Sequence, residues 1–479
     1  MTPISLQDLN HHTKGLFPGA FAGAVAGYLG AISYRGETVK HAAGVANLNT
    51  GAPMTTDTQW LLGSITKVMT ASMMMRLVDQ GRLDLDRRVV DYLPEFRLKS
   101  PGAAEKILVR QLLDHTSGLD ADALGPSRDF GPRMVETYVE ALQERDLLFE
   151  PGVFTHYSNP GYGVAGRIIE RLEGITYHAA LERDLFGPLG MTGASTSAEK
   201  AILGPTAIGA FAGGPGGALR PTSMFSLPGS MGPGGSTPIV TLDDVIAFGR
   251  MHLDGGVAHD GSRYLSTDAV ALMRRVAFDL ETPNSAPTGL GWRIVPLCGT
   301  TALFHSGGSP GGASSFLVLP EHDLMIAGFA TGPGAGLFFD HVIAVVLKAL
   351  LGLEPTSPFK AGPPPDDLSR FEGRYAHFQN SLEIRAVDGR LEGQLTILPV
   401  DEDHRRGFTG YMGADPTLSA PKPYALEPIN ETLFKPAGAP DETFYGVWGR
   451  VYLSSFHQPD ASGRPLFHHS AWRASRRVS

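Results

Sequence analysis

Between Val68 and Val78 the chain carries a run that is apolar on nearly every side of a helix. Met69, Met73 and Leu77 fall on one face, and Val68, Met74, Met75 and Val78 crowd around them. A helix without a polar face has to be wrapped by other elements, so this segment is expected at the buried centre of a large unit. Gly81, after Gln80, supplies its stop. The residues leading into it read Trp60-Leu61-Leu62-Gly63-Ser64-Ile65-Thr66-Lys67. Ser64 therefore stands at the first turn of a core helix, with Lys67 one turn on and on the same face.

That placement has chemical content. A serine hydroxyl is a good nucleophile only when a neighbour takes its proton. A lysine does this when burial or nearby cations favour its neutral form. The free N–H groups of a helix start are available to a developing oxyanion. Ser-x-x-Lys alone is commonplace, usually a capping serine and an exposed lysine, so the rest of the chain must supply the context.

The chain is long enough, at 479 residues, for a large core and two domains. With 42% hydrophobic and 19% charged residues its composition is that of an ordinary globular protein. A net charge of −9 without a basic block speaks against a nucleic-acid partner. The single cysteine, Cys298, forms no intrachain disulfide and has no thiol or zinc-site pattern. Residues 16–32 are apolar after Lys14, and Ala22-Gly23-Ala24 faintly resembles a leader cleavage site, but Pro18 and a series of glycines interrupt them. Gly23 to Tyr34 is read instead as the first strand, paired with Glu37 to Val45 across Arg35-Gly36, so that cleavage would remove a sheet strand. No stretch has a clean membrane-spanning length. A cytoplasmic location without membrane contact is expected.

Helical patterns follow at Val89 to Leu93, Pro132 to Gln143, Gly161 to Leu172, Tyr177 to Leu185, Leu242 to His252 and Ser266 to Arg275. Trp292 to Val295, Ala302 to His305, Ser315 to Leu319 and Leu324 to Thr331 read as a strand meander, with a helix from Phe338 to Leu351 behind it. Strands, a long all-helical insert, strands and a helix make an α/β (α+β) unit with an antiparallel sheet flanked by helices. Residues from about 201 to 238 are dense in Gly, Pro and Ala, either a flexible linker or a long ordered loop over a site.

The expected division is a first domain over 1–354, a proline-rich linker over 355–367 and a second domain over 368–479. In the second, Leu382, Ile384 and Ala386 alternate, Asp388-Gly389 turns, and Leu391, Leu395 and Ile397 alternate back. Phe444 to Phe456 also reads as a strand. A small all-β domain, an eight-stranded barrel or a sandwich, is expected, and the first domain is expected to fold without it.

Two further clusters carry chemistry. Tyr157-Ser158-Asn159 offers a phenol that can shuttle a proton and an amide that can both donate and accept. His305-Ser306-Gly307-Gly308 ends a strand, where glycines admit close approach and strand N–H groups can complete an oxyanion hole. Gly307-Gly308-Ser309-Pro310-Gly311 also matches the Gly-x-Ser-x-Gly nucleophile elbow, but that motif needs a strand–Ser–helix context and here another strand follows. Gly332 to Gly336 is a glycine string read as lacking the strand–helix unit of a dinucleotide site. His11-His12 and His468-His469 lack metal-ligand spacing. No metal or cofactor is expected.

Ser64-x-x-Lys67, Tyr157-x-Asn159 and His305-x-Gly307, in that order, resemble the serine β-lactamase and penicillin-binding-protein superfamily. The closer likeness is to the class C β-lactamase-related branch of esterases, D-aminopeptidases and DD-peptidases. Leu112 to Leu119, Glu150-Pro151-Gly152, Tyr157 to Tyr162 and Gly289-Leu290-Gly291-Trp292 look like that branch as well. The resemblance covers residues 15–352, and the second domain is similar to the lipocalin-like appendage of some members. It implies Ser64 as acylated nucleophile and Lys67 with Tyr157 as handlers of its proton. It implies an oxyanion hole from the N–H groups of Ser64 and Gly308. Asn159, His305 and Gly307 are implied as substrate-positioning residues.

One departure bears on the activity. Class C β-lactamases carry lysine where this chain has His305, and an ordinary histidine is mostly neutral at pH 7. That favours an esterase or a peptidase/amidase over a β-lactamase. Three readings follow from the sequence: a serine hydrolase of a small ester, the same machinery on a small peptide or amide, or a non-catalytic binding or assembly protein on the same fold. The sequence leaves the natural substrate and the oligomeric state open. The missing export signal argues against cell-wall peptides as substrates.

Overall fold

A computed structural model describes residues 23–120, 131–213, 217–354, 365–378, 380–399, 402–415 and 421–479, with residues 6, 21 and 356. Most of the expected linker, and His11-His12, lie outside the described residues. Seven strands form the central sheet: β1 (Gly27–Tyr34), β2 (Glu37–Asn47), β3 (Ala52–Pro53), β4 (Arg293–Leu297), β5 (Thr300–Ser309), β6 (Gly312–Leu319) and β7 (Leu324–Thr331). Their order is β3-β2-β1-β7-β6-β5-β4, antiparallel throughout. Gly27 pairs with Thr331 and Tyr34 with Leu324, so the first strand of the unit closes against its last.

β1 opens at Gly27 rather than Gly23, because the amides of Ala24 and Val25 first bond back to the carbonyl of Phe21. A cut before Val25 would leave the strand whole, so strand loss is no argument against cleavage there. The glycine string after β7 does join a strand to a helix, contrary to the sequence reading. Gly334 donates its N–H to Ala24 O at 2.9 Å there, and the helix after it packs on β6 and β7.

Four long helices position the site: α1 (Thr66–Asp79), α2 (Asn159–Glu173), α3 (Leu242–Leu253) and α4 (Ala335–Leu351). The sheet separates them by period two. Phe316 and Val318 pack with the α1 and α3 side, Leu317 and Leu319 with α4. Both faces are covered, which is why β6 and β7 read as continuous apolar runs. In α1 every residue from Thr66 to Met75 is buried, as its all-round apolar surface requires.

The second unit is a closed barrel of eight strands: β8 (Gly373–His377), β9 (Asn380–Val387), β10 (Arg390–Ile397), β11 (Tyr424–Pro428), β12 (Leu433–Pro436), β13 (Ser454–Pro459), β14 (Pro465–Ser470) and β15 (Arg473–Arg477). Closure is made by β8 on β15, with Tyr375 opposite Arg477. Phe371, Tyr375, Leu382, Ile384, Leu391, Leu426, Phe434 and Phe456 fill the interior. Asp388 and Gly389 form the two-residue turn at φ +50° and +76°, the left-handed pair that such a hairpin needs.

Two expectations about this unit are corrected. It is not all-β, because a helix α5 (Glu402–Met412) lies between β10 and β11. Phe444 to Phe456 is not one strand either: a short helix spans Val447–Arg450 and β13 starts only at Ser454. The cause is Asp340 on α4, whose carboxylate accepts the N–H groups of Trp448 at 3.0 Å and Gly449 at 2.8 Å, the donors a strand would have needed.

The units are joined over apolar ground. Phe154 stacks on Phe467 at 4.7 Å, with Leu148, Phe149 and Ala474 around them. Asn284 Nδ2 donates to the carbonyls of Leu453 and His469 at 3.1 and 3.0 Å. Among the described residues no helix is long and apolar enough to cross a membrane.

Candidate active site

Ser64 sits in a single 3-10 turn, Gly63–Ile65, that runs straight into α1. Backbone closes on it from two sides. Gly63 has φ +69°, and a Cβ there would lie 2.6 Å from Gly308 O on β5. Gly235 has φ +117°, and a Cβ there would collide with the carbonyl of Gly63. Only glycine meets both the conformation and the space at these positions. Lys67 is wholly buried; its Nζ donates to Ser64 Oγ at 3.1 Å and to Gly234 O at 2.6 Å. The glycine-rich segment around Gly234 is thus an ordered loop over the site, and Leu227, Met231 and Gly234 to Ser236 line the pocket. Residues 214–216 of it lie outside the described residues.

Tyr157 comes from the turn before α2. Ser158 caps that helix by accepting the N–H of Gly161 at 3.0 Å, and Asn159 is its first residue. The Tyr157 N–H donates to Trp472 O of the barrel at 2.8 Å. Three cations surround its ring: Lys67 Nζ at 4.7 Å, the Arg473 guanidinium at 5.1 Å and that of Arg293 at 5.7 Å from the centroid. The His115 ring packs on it at 4.6 Å, and His115 Nδ1 accepts the N–H of Ser158 at 3.1 Å. Burial, aided by Arg293 and Lys67, drives the His115 pKa far below its ordinary value, so the ring stays a neutral acceptor. Burial also pushes the adjacent Asp114 carboxyl up to about 6, against the pull of the Thr116 hydroxyl. It lowers the Arg293 guanidinium to about 10.

On the third side β4 begins only at Arg293, opposite Phe304, while β5 runs on to Ser309. Along this stretch the Ser64 turn takes the outer flank: a side chain on Gly307 would strike the carbonyl of Leu62, and one on Gly308 would strike the Tyr411 hydroxyl. His305 is 2% exposed, its Nδ1 lies 2.7 Å from Ser306 O, and its ring lies 6.2 Å from that of Tyr157. Burial first, then the Lys67 and Arg293 cations, lowers its pKa to about 3. Ser309 ends β5 at a hairpin into β6, with no helix after it.

The cavity at Ser64 measures about 110 Å3 and is bounded by Asn159, Gly308 and the loop, and on the far side by Phe408, Tyr411 and Arg473 of the barrel unit. Ser64, Asn159 and Gly308 reach it, and Lys67 contacts Ser64 with Tyr157 beside it. His305 and Gly307 do not line it. A larger cleft of about 390 Å3 runs between Thr282 to Pro287 and the barrel, next to Cys298. Burial pushes that thiol's pKa up, the wrong direction for a nucleophile. Arg293, Phe408, Tyr411, Trp472 and Arg473 went unread in the sequence. The polar turn with His115 was visible, but nothing in it pointed to Tyr157. Among the described residues Asp120, His156 and His377 form a group able to hold a metal ion.

Residues 7–350 match the Beta-lactamase family model. Penicillin-binding protein 4 of Amycolatopsis lactamdurans is 36% identical over 352 residues, 72% of this chain and 91% of that protein. Esterase EstB of Burkholderia gladioli is 34% identical over 182 residues, 34% of this chain and 45% of that protein. The crystal structure of SurE shares the fold at a TM-score of 0.72 and 22% identity, over 99% of this chain and 100% of that one. A family match of this extent, on a chain whose Ser64 and Lys67 meet at the head of a buried helix, identifies a serine hydrolase of ester or amide bonds: the chain belongs to the β-lactamase family.

Proposed function

We propose that Ser64 is acylated by the substrate, that Lys67 and Tyr157 pass its proton, and that the N–H groups of Ser64 and Gly308 hold the oxyanion. Asn159 positions the substrate, and His305 and Gly307 shape β5 from beneath. The 3.1 Å contact between the buried Lys67 and Ser64, whose side chain faces the cavity, supports the first role. The Tyr157 ring beside Lys67, with Arg473 and Arg293 also over it, supports the second. In the first step Ser64 Oγ bonds to the carbonyl carbon, and its proton leaves with the departing alcohol or amine. In the second, water attacks the acyl-enzyme and Ser64 recovers a proton as the acid departs.

The substrate we infer is a small linear peptide or amide with a free carboxylate, in preference to a neutral ester. One observation carries this: Arg473 is the cation among the described residues lining the cavity. His305, neutral and buried, supplies none, so the charge that lysine gives in class C enzymes would come here from the barrel. The test is the ratio of kcat/KM for a peptide acid and its C-terminal amide, in wild type and Arg473→Ala, with nitrocefin and a p-nitrophenyl ester alongside. The preference for the acid is expected to vanish in the variant; an unchanged ratio would favour the neutral ester. Failure of a fluorophosphonate to label the protein would instead favour the binding-protein reading.

The division at 354 and 368 and the cytoplasmic location belong to the same proposal. Limited proteolysis of the folded protein and cell fractionation test them.

A further inference from the structure

Behind Tyr157, where the barrel meets the hydrolase unit, three side chains from distant parts of the chain converge. Asp120 follows the polar turn, His156 precedes Tyr157, and His377 ends β8. One ligand atom of each lies within 4.8 Å of the others. Asp120 Oδ1 is 3.7 Å from His156 Nε2 and 3.6 Å from His377 Nδ1. These separations are too long for hydrogen bonds. They are close to the ~3.3–3.5 Å between neighbouring ligands of a four-coordinate ion with bonds of about 2.0–2.1 Å. The three side chains are 12%, 1% and 5% exposed.

The other polar atom of each residue is already held from outside. Asp120 Oδ2 accepts the N–H of Phe378 at 2.7 Å. His377 Nε2 lies 2.9 Å from Asn380 Nδ2, and with that amide turned over its oxygen would accept the Nε2–H and leave the Nδ1 lone pair facing Asp120. His156 Nδ1 lies 3.2 Å from both N and O of Ala474; in one tautomer it accepts that N–H, and in the other it donates to the carbonyl and turns the Nε2 lone pair towards Asp120. Outer partners of this kind orient metal-ligating histidines. Among the described residues, Asp120 Oδ1 and His377 Nδ1 have no hydrogen-bond partner.

We propose that Asp120, His156 and His377 bind one divalent transition-metal ion, zinc by donor type, with water in the fourth position. The sequence reading expected no metal; the site escaped it because its ligands come from two units. None of the three lines the cavity at Ser64, so the ion acts on position and not on bond-making. It ties β8 to the segment carrying Tyr157, and through Ala474 to the strand carrying Arg473.

The test uses the full chain, stripped with a chelator, reloaded with zinc and passed over a desalting column before metal analysis. One equivalent of zinc is expected to stay with the wild type and to raise its Tm. The cobalt-loaded protein is expected to show the visible absorption of a four-coordinate site. Asp120→Asn and His377→Ala are expected to lose the retained zinc, the absorption and the Tm response. Wild type that retains no zinc overturns the proposal, as do folded variants that keep a full equivalent. Should the variants not fold, the wild-type cobalt spectrum decides: without four-coordinate bands the proposal falls.

Discussion

The two walls of the cavity at Ser64 are built in opposite ways. The wall with Ser64 and Lys67 is one short stretch of chain, fixed by backbone contacts at Gly63, Gly235 and Gly307 that leave no room for a side chain. The wall with Phe408, Tyr411 and Arg473 comes from a separate unit and is held by docking, through Phe154 on Phe467 and Asn284 on two barrel carbonyls. The difference teaches a division of labour. On the roles proposed above, bond-making rests on local geometry and recognition on long-range contact, so the two should fail separately.

The largest expected effect lies in the first wall. Ser64→Ala should remove turnover by about six orders of magnitude, as loss of a catalytic serine does elsewhere. Ser309→Ala should keep covalent labelling. Peptide mass mapping of the labelled protein checks both, and label on Ser309 would break the assignment. Tyr157→Phe comes next. Tyr157 touches both walls, through Lys67 and through Trp472. Losing its hydroxyl should slow acylation by about two to four orders, the usual worth of one acid–base group. Stopped-flow traces at an unchanged rate would take the phenol out of the proton path.

Arg473→Ala probes the second wall. A hydrogen bond to a charged group contributes roughly 1.5–3 kcal/mol, so kcat/KM for a carboxylate substrate should drop about ten- to hundredfold. Labelling by a neutral fluorophosphonate should hold steady; if it falls as well, the walls are not separable. The smallest effect is that of pH, and it is shared. Burial holds His252 and His305 at about 3 in the first unit and His468 at about 3 in the barrel. Each pKa lies below the unfolded value, so the unfolded chain binds the extra proton and stability is lost as pH falls below about 6.5. Each histidine should remove roughly 0.7 kcal/mol between pH 7 and 6. Melts from pH 8 to 5 should show a flat Tm and then a decline; a rise on acidification would contradict the burial.

How far the sequence could be read follows the same division. The α1 helix, the strand meander and the Asp388-Gly389 hairpin were legible because each is dictated within a dozen residues by periodicity or turn chemistry. Helix α5 was not, since Gly407 and Gly410 break its apolar period and its Phe408 and Tyr411 find partners in the other unit. The short helix at Val447 depends on Asp340, more than a hundred residues earlier. His305 was placed at the right strand, but its orientation was not legible. Register with Phe316 turns it towards α1 and under Tyr157, and no local pattern fixes that register.

The late start of β4 has a consequence of its own. The run Gly289-Leu290-Gly291-Trp292 leads into the strand only at Arg293, with Gly291 at φ +82° and tight against Ala71 of α1. A strand starting a few residues sooner would run alongside Gly307 and Gly308, in the ground now held by the Ser64 turn. The width of the mouth is therefore metered by where one strand begins, and that beginning is anchored to the same helix that Ser64 leads into. Aperture and reagent share one foundation, so a shift of α1 that moved Ser64 would carry the door frame with it.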